Sequence, residues 1–335
     1  MEEELGPVHA PEFPANATWL QGGPLKIAAL RGRPVLIDFW DYTCVNCIRT
    51  LPYVNEWHRR YAPLGLTVVG VHAPEFSFGR ESGNVARAVR EHRIEYPIVL
   101  DNDYAIWQSY ANRFWPAKYL VDGRGYLRGY HHGEGAYREI EEALQSLLRE
   151  SFPEILLPGL MDPVRDDDKD GAVCYRVTPE LYLGYQRGIV GNVAGMAPDK
   201  ASTYNDPGKH MDGAAYLDGD WLLANEYLAR PAGAVRESRV TVPYMAKDVN
   251  LVVHPPTFGG AATISVLQDG KPIAAEDAGA DVVAGGATSI VTVDAPRMYR
   301  LVSNREIDHH ELTLSTMSDG LALYALTFTS CVIPE

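Results

Sequence analysis

The 335-residue sequence predicts an α/β sandwich domain followed by an all-β sandwich. Three observations carry that prediction. Over residues 1–150, β-branched runs alternate with segments whose apolar residues recur at helical spacing. Residues 151–172 are rich in proline, glycine and aspartate and read as a linker. Over residues 173–335, strand-like alternation takes over and no helical stripe is convincing, which is the pattern of an antiparallel sandwich. The length suffices for two separate cores.

Residues 1–24 read as an extended lead-in, with Phe13 and Trp19 as aromatic anchors for the domain that follows. Leu25 to Leu30 is a short helix or turn ending at the Arg31-Gly32-Arg33-Pro34 breaker. Val35 to Trp40 is an apolar, β-branched run and predicts a buried strand. After the Asp41-Tyr42-Thr43 turn, Ile48, Leu51, Val54 and Trp57 recur at steps of three and predict a helix to about Ala62-Pro63, kinked at Pro52. Leu66 to His72 is a second strand, and Ala73 to Gly83 is a polar connection that holds Glu75. A helix over Asn84 to Ile94, capped by Asn84, leads to a third strand over Pro97 to Leu100. A helix over Asp103 to Phe114 comes next. Ala117–Val121 and Tyr126–His131 form a hairpin about Asp122–Gly125, and Ile140, Leu144, Leu147 and Leu148 line a closing helix that ends near Glu150. In the second half the clearest strands are Arg239–Val242, Val249–His254, Thr263–Leu267, Ser289–Val293 and Leu321–Phe328.

Composition narrows the function. With 46% hydrophobic and 22% charged residues the chain is globular, and no apolar run approaches the length of a membrane-spanning helix. The start, Met1-Glu2-Glu3-Glu4-Leu5, lacks the apolar stretch of a signal peptide, which points either to a cytoplasmic protein or to a soluble portion of a longer one. The net charge of −14 divides into −3 over residues 1–150 and −11 over residues 151–335. An acidic second half without basic clusters argues against nucleic-acid binding. Four cysteines are too few for a disulfide scaffold.

Two of the four, Cys44 and Cys47, stand at C-x-x-C spacing between a strand and a helix. That context places both thiols in a helix's first turn, where unpaired N–H groups and the helix dipole favour a thiolate of lowered pKa. Asp38 lies six positions before Cys44, inside an otherwise apolar strand. A buried carboxylate there has a raised pKa and is a candidate proton acceptor for the second thiol; a structural salt bridge is the alternative reading. Pro116 opens a strand after an aromatic, which suits a cis X-Pro turn whose backbone edge faces the thiols. The spacing does not suit zinc, because a structural zinc site needs four ligands and no second C-x-x-C or H-x-x-x-H is present. The chemistry calls for no cofactor.

Asp38-Phe39-Trp40, Cys44-x-x-Cys47, Pro52 and Pro116 resemble the thioredoxin superfamily in both residue and order. The domain is similar in particular to TlpA/ResA-like members, whose insertion after the second strand carries a glutamate beside the redox pair; Glu75 occupies that place. The run Asp38 to Pro52, together with Leu100-Asp101-Asn102-Asp103-Tyr104 and Tyr182 to Gly188, resembles the soluble C-terminal portion of DipZ-type proteins over roughly residues 8–333. That resemblance implies a thioredoxin-like domain coupled to a jelly-roll, carbohydrate-binding-module-like β-sandwich. It further implies extracytoplasmic thiol–disulfide exchange on protein disulfides, with Cys44 as nucleophile, Cys47 as resolving thiol and electrons from a CcdA-like membrane domain. Reduction of substrate disulfides is the direction it favours. Thr43 departs from the tryptophan that thioredoxins usually carry before the first cysteine.

Several features have two readings. Cys174 and Cys331 lie near the start and end of the second domain, where they form either a structural disulfide or two buried thiols. Tyr182, Tyr185, Tyr204, Trp221 and Tyr227 are either sugar-stacking residues or core anchors, and the former would make the protein a binder of envelope glycan or a protein partner. Asp166-x-Asp168-x-Asp170-Gly171 starts like a calcium loop, but Val177 stands where its bidentate carboxylate belongs, so it reads as a solvated linker. His131-His132 and His309-His310 point to opposite strand faces and read as non-ligands.

Overall fold

The structure, a computed structural model, describes residues 8–257 and 260–332; the acidic start lies outside them. The chain divides into two compact units after Asp168. Residues 151–168, expected as linker, therefore belong to the first unit, where Tyr53, Arg60, Glu141 and Gln145 hydrogen-bond to them.

In the first unit the strands are β1 (Thr18–Gln21), β2 (Val35–Trp40), β3 (Thr67–His72), β4 (Ile98–Leu100), β5 (Ala117–Val121) and β6 (Leu127–His132). The helices are α1 (Val45–Tyr61), α2 (Ser82–Glu91), α3 (Ala105–Ser109) and α4 (Tyr137–Ser151). The sheet order is β1-β4-β3-β2-β5-β6, with β2, β3 and β4 parallel and the remaining pairings antiparallel. Every residue of β2 is buried, as suits a run apolar at all positions but Asp38 in a strand covered on both faces. Val35, Ile37 and Phe39 join Val69, Val71, Val99 and Tyr119 in a core on one face. By the pleat, Leu36, Asp38 and Trp40 point to the other.

Three local expectations change. The lead-in contains β1, whose Thr18 and Trp19 pair with Leu100 and Val99 at the sheet edge, while Phe13 packs edge-on against Trp19. The aromatic helix over Asp103 to Phe114 shrinks to α3. Asp101 takes the Ile106 and Trp107 N–H groups to start it, and left-handed backbone at Tyr104 and Ala111 closes both ends. Helix α2 begins before Asn84, and that side chain donates to the Phe78 carbonyl at 3.2 Å instead of capping the helix. Helix α1 continues past Pro52 to Tyr61.

The second unit is all-β, with β7 (Val173–Cys174), β8 (Leu181–Tyr182), β9 (Ala201–Tyr204), β10 (Tyr216–Leu223), β11 (Leu228–Ala229), β12 (Ser238–His254), β13 (Ala262–Gln268), β14 (Lys271–Pro272), β15 (Val282–Gly285), β16 (Thr288–Val293), β17 (Arg297–Thr316), β18 (Ala322–Thr329) and β19 (Cys331–Val332). Its layers are joined instead of separate. The long β12 pairs with β17 along most of its length, with β10 near its start and with β18 near its end. Register shifts at Ala246/Asp248 and Val249/Asn250 mark the bulges at which such a strand bends from one layer to the next. One core results, with Trp221, Tyr244, Leu251, Ile264, Tyr299 and Leu314 inside it.

Candidate active site

The register of the first unit gathers the site at one end of its sheet. Trp40, His72 and Leu100 are aligned across β2, β3 and β4, so the segments after them leave from the same edge, the usual place for a site in an open α/β sheet. Phe39 pairs with Ala117, which brings Pro116 to that edge as well. The Trp115–Pro116 peptide is cis. The Trp115 indole N–H donates to Ala73 O at 2.9 Å, and the Tyr104 hydroxyl donates to Pro74 O, so the proline loop and the Glu75 loop are tied together.

Cys44 is the N-cap of α1, half-buried, and its sulfur accepts the Cys47 N–H at 3.2 Å. Cys47 lies behind it and is buried. Both thiols are free and hydrogen-bonded to one another. The expected lowering of the Cys44 pKa is not what the electrostatics give. Burial pushes this thiol up, more than its bonds to Cys47 hold it down, and the carboxylates of Glu75 and Asp41 push the same way. Burial raises Cys47 further still, with the neighbouring Cys44 next in size.

Asp38 is fully buried, and burial raises its pKa to about 6 against the opposing pull of Lys118. Lys118 is its direct cross-strand partner, equally buried, with Nζ 4.0 Å from Oδ1. That is an ion pair without a hydrogen bond, since neither Asp38 oxygen has a hydrogen-bond partner. Burial lowers the Lys118 pKa, while Asp38, Cys47 and Cys44 oppose the fall. Tyr96 belongs to the same buried set; its hydroxyl is raised by burial and by the charges of Asp38 and Cys47. Gly70 faces Asp38 across the β2–β3 pair, and a Cβ there would meet the Tyr96 ring and the Trp40 indole nitrogen. His72 is buried too and held neutral by desolvation, at about 3.

Sequence reasoning overlooked two of these residues. Asp41 is fully buried; its Oδ1 accepts the Thr43 N–H at 2.7 Å and the Thr43 hydroxyl at 2.9 Å, and its Oδ2 accepts the Glu75 N–H. Its signal was an acid two positions before a threonine in a tight turn, the pattern of a side-chain-capped turn. Lys118 was equally visible, as the one charge inside the apolar run Ala117–Val121.

Elsewhere, Cys174 and Cys331 are paired across β7 and β19 and joined by a disulfide. Tyr204 and Trp221 lie in the core of the second unit, and the Trp221 indole N–H is spent on the Asp218 and Arg239 carbonyls, so neither ring is available to stack on a sugar. The Tyr182 ring is covered by the Arg187 guanidinium at 3.5 Å. Asp167 and Asp168 make ion pairs with Arg165, so this part of the acidic run is not simply solvated.

Both units match known proteins. The AhpC/TSA family model matches residues 8–130, and a model described as the thioredoxin-like C-terminal domain matches residues 178–329. Protein DipZ of Mycobacterium tuberculosis is 38% identical over 267 residues, 78% of this chain and 37% of that protein. The thiol-disulfide oxidoreductase YkuV of Bacillus subtilis is 31% identical over 141 residues, 42% of this chain and 95% of YkuV. A thioredoxin-like protein solved in solution in its oxidized form is 31% identical and covers 43% of this chain and 97% of its own, with a TM-score of 0.40. Its sheet order and its match to YkuV make the first unit a thioredoxin-like domain. The chain belongs to the family of thioredoxin-like thiol–disulfide oxidoreductases, with YkuV and DipZ among its relatives. It spans 37% of the length of the DipZ proteins it matches.

Proposed function

We propose that the protein is a thiol–disulfide oxidoreductase that reduces disulfides of protein substrates. The observation that carries this reading is the asymmetry of the pair, with Cys44 half-buried at the helix N-cap and Cys47 buried behind it. Cys44, as thiolate, attacks one sulfur of a substrate disulfide and expels the other as a thiolate, leaving a mixed disulfide. Cys47 gives its proton to Asp38 and attacks Cys44 Sγ, which closes the Cys44–Cys47 disulfide and releases the substrate's second thiolate. Two electrons pass from the dithiol to the substrate. Pro116, with its backbone at the same sheet edge, holds the substrate chain, and Glu75 adjusts the charge beside Cys44.

The compartment is extracytoplasmic, a reading supported by the Cys174–Cys331 disulfide, since such bonds persist where the surroundings are oxidising. No helix among the described residues is long and apolar enough to cross a membrane. Reducing equivalents come from a CcdA-like membrane electron donor, as the likeness to DipZ-type proteins suggests.

The test is trapping. Cys47→Ser accumulates a mixed disulfide with substrate and Cys44→Ser does not; equal trapping by both would overturn the assigned roles. The direction is read from the reduction potential of the pair. A value near −270 mV supports a reductant, and one near −120 mV makes the protein an oxidant.

A further inference from the structure

The buried ion pair is connected to the edge where substrate docks. Pro116 opens β5, and its carbonyl oxygen accepts the Gly133 N–H at 2.7 Å. The carbonyl of the same Gly133 accepts from Lys118 Nζ at 3.4 Å. Lys118 in turn faces Asp38 at 4.0 Å across the β2–β5 pair, with both side chains 1% exposed. Gly133 sits at φ +86°, in open space just past β6, where only a glycine turns without strain. The ammonium therefore stands between a neutral carbonyl, which it reaches at 3.4 Å, and the Asp38 carboxylate at 4.0 Å, and it also feels the charges of Cys47, Cys44 and Glu134. A shift of about 1 Å would bring the ammonium from its 4.0 Å separation to hydrogen-bond distance of Asp38.

We propose that Lys118 is a positioning residue that links the seating of the Pro116 loop to the charge state of Asp38, through the chain Pro116–Gly133–Lys118–Asp38. This rests on the reading of Asp38 as the proton acceptor of Cys47. When a substrate backbone lies along the Pro116 edge, the Gly133 turn moves with the Pro116 carbonyl and the ammonium closes on Asp38. That favours the carboxylate, the form able to take the Cys47 proton. The step is one proton transfer, from Cys47 Sγ to an Asp38 carboxylate oxygen, and no electron moves in it. Lys118 keeps its own proton throughout. Without substrate the ammonium leans toward Gly133 and Asp38 holds a proton more readily, so Cys47 stays a thiol until a mixed disulfide is in place.

The experiment is an NMR titration of the reduced full chain, labelled to report the Asp carboxyl carbons and the Lys ε-carbons. In the wild type the Asp38 carboxyl should inflect near pH 6, and the Lys118 ε-carbon should inflect at the same pH. Lys118→Met should move the Asp38 inflection up by ~1 pH unit or more, while Lys118→Arg should restore it. In Cys47→Ser carrying a short single-cysteine peptide as a mixed disulfide on Cys44, the Asp38 inflection should fall; with Lys118→Met added it should not move. Should Lys118→Met not fold, the wild-type titration stands alone, and a Lys118 ε-carbon that ignores the Asp38 titration overturns the proposal. An equal peptide-induced shift with and without Lys118 overturns it too. The underlying reading fails separately: if Asp38→Asn resolves the mixed disulfide at the wild-type rate, Asp38 is not the acceptor, whatever the titrations show.

Discussion

Asp41 accepts the backbone N–H of Glu75, and with its other oxygen it holds the N–H and hydroxyl of Thr43. One buried carboxylate thereby pins the turn before Cys44 to the loop that leaves β3. The clamp sets two acids beside a thiol that depends on its thiolate form for attack. Burial is the larger cause of the raised Cys44 pKa, and the two charges add to it.

Glu75 can be discharged without breaking the clamp, because the clamp uses its backbone. Removing that negative charge stabilises the thiolate, so the Cys44 pKa should fall. In Glu75→Gln, alkylation of Cys44 by iodoacetamide near neutral pH should run about threefold faster, as a shift of half a pH unit implies. An unchanged or slower rate would remove Glu75 from the electrostatics of Cys44.

The Tyr53 hydroxyl on α1 shares the holding of the segment after α4 with Arg60, which donates to the Gly159 carbonyl, Gln145, which donates to the Pro158 carbonyl, and Glu141, which accepts the Met161 N–H. The Tyr53 hydroxyl donates to Asp168 at 2.7 Å and accepts the Val164 N–H at 3.0 Å. Tyr53→Phe keeps the ring, which stacks on Tyr137 at 3.6 Å, and loses both bonds. The cost to that segment should be about 2 kcal/mol. Limited proteolysis between residues 153 and 168 should speed up markedly while the helical CD signal stays. Cleavage at the wild-type rate would show that other contacts hold the strap.

His210 titrates between two carboxylates in the second unit. Nε2 meets Asp206 Oδ1 at 2.7 Å, Nδ1 meets Glu311 Oε2 at 2.6 Å, and the ring packs on Tyr216. Only the imidazolium can donate to both acids. Burial alone would lower the pKa, but the bonds to Glu311 and Asp206 outweigh it and leave it raised. A raised histidine pKa contributes stability that is fully present below the unfolded value of about 6.5 and is lost as pH rises through the folded value. Amide protection in loop 205–213, corrected for intrinsic exchange, should therefore decline from about pH 6.5 upward in the wild type and lie flat in His210→Gln. Parallel profiles for the two proteins would sink the assignment.

The Cys174–Cys331 disulfide closes a loop of 157 residues around the second unit. Chain entropy makes so long a closure worth several kcal/mol, and removing it should cost about 3 kcal/mol. Thermal unfolding of Cys174→Ser/Cys331→Ser should show a lower transition for the β unit, and dithiothreitol should reproduce that loss in the wild type. A transition insensitive to both would leave the bond without a stabilising role.

How much of this was legible before the fold was known differs from residue to residue. The C-x-x-C pair, its strand and its helix were legible because the pattern is local: three positions of spacing place both thiols in one turn, and a run apolar except at Asp38 marks β2 as buried. The length of α3 was not legible, since left-handed backbone at Tyr104 and Ala111 ends it inside a run that keeps its apolar spacing. Nor was the fate of the aromatics in the second half. Tyr204 and Trp221 could read as ligand platform or, more often for such residues, as core or interface anchors, and strand pairing put them inside.

By itself, then, the sequence determined the redox pair, the order of elements that carries it and the change from α/β to all-β architecture, because each is written in spacing along the chain. The tertiary structure alone decided which charges the thiols meet. Lys118 reaches Asp38 only through the register of β2 on β5, and Asp41 reaches Glu75 only through the alignment of β2 with β3. A helix N-terminus predicts a lowered thiol pKa when nothing else is near. Burial and two carboxylates brought in through space reverse that sign, and their proximity is a property of register and packing, which no spacing along the chain encodes.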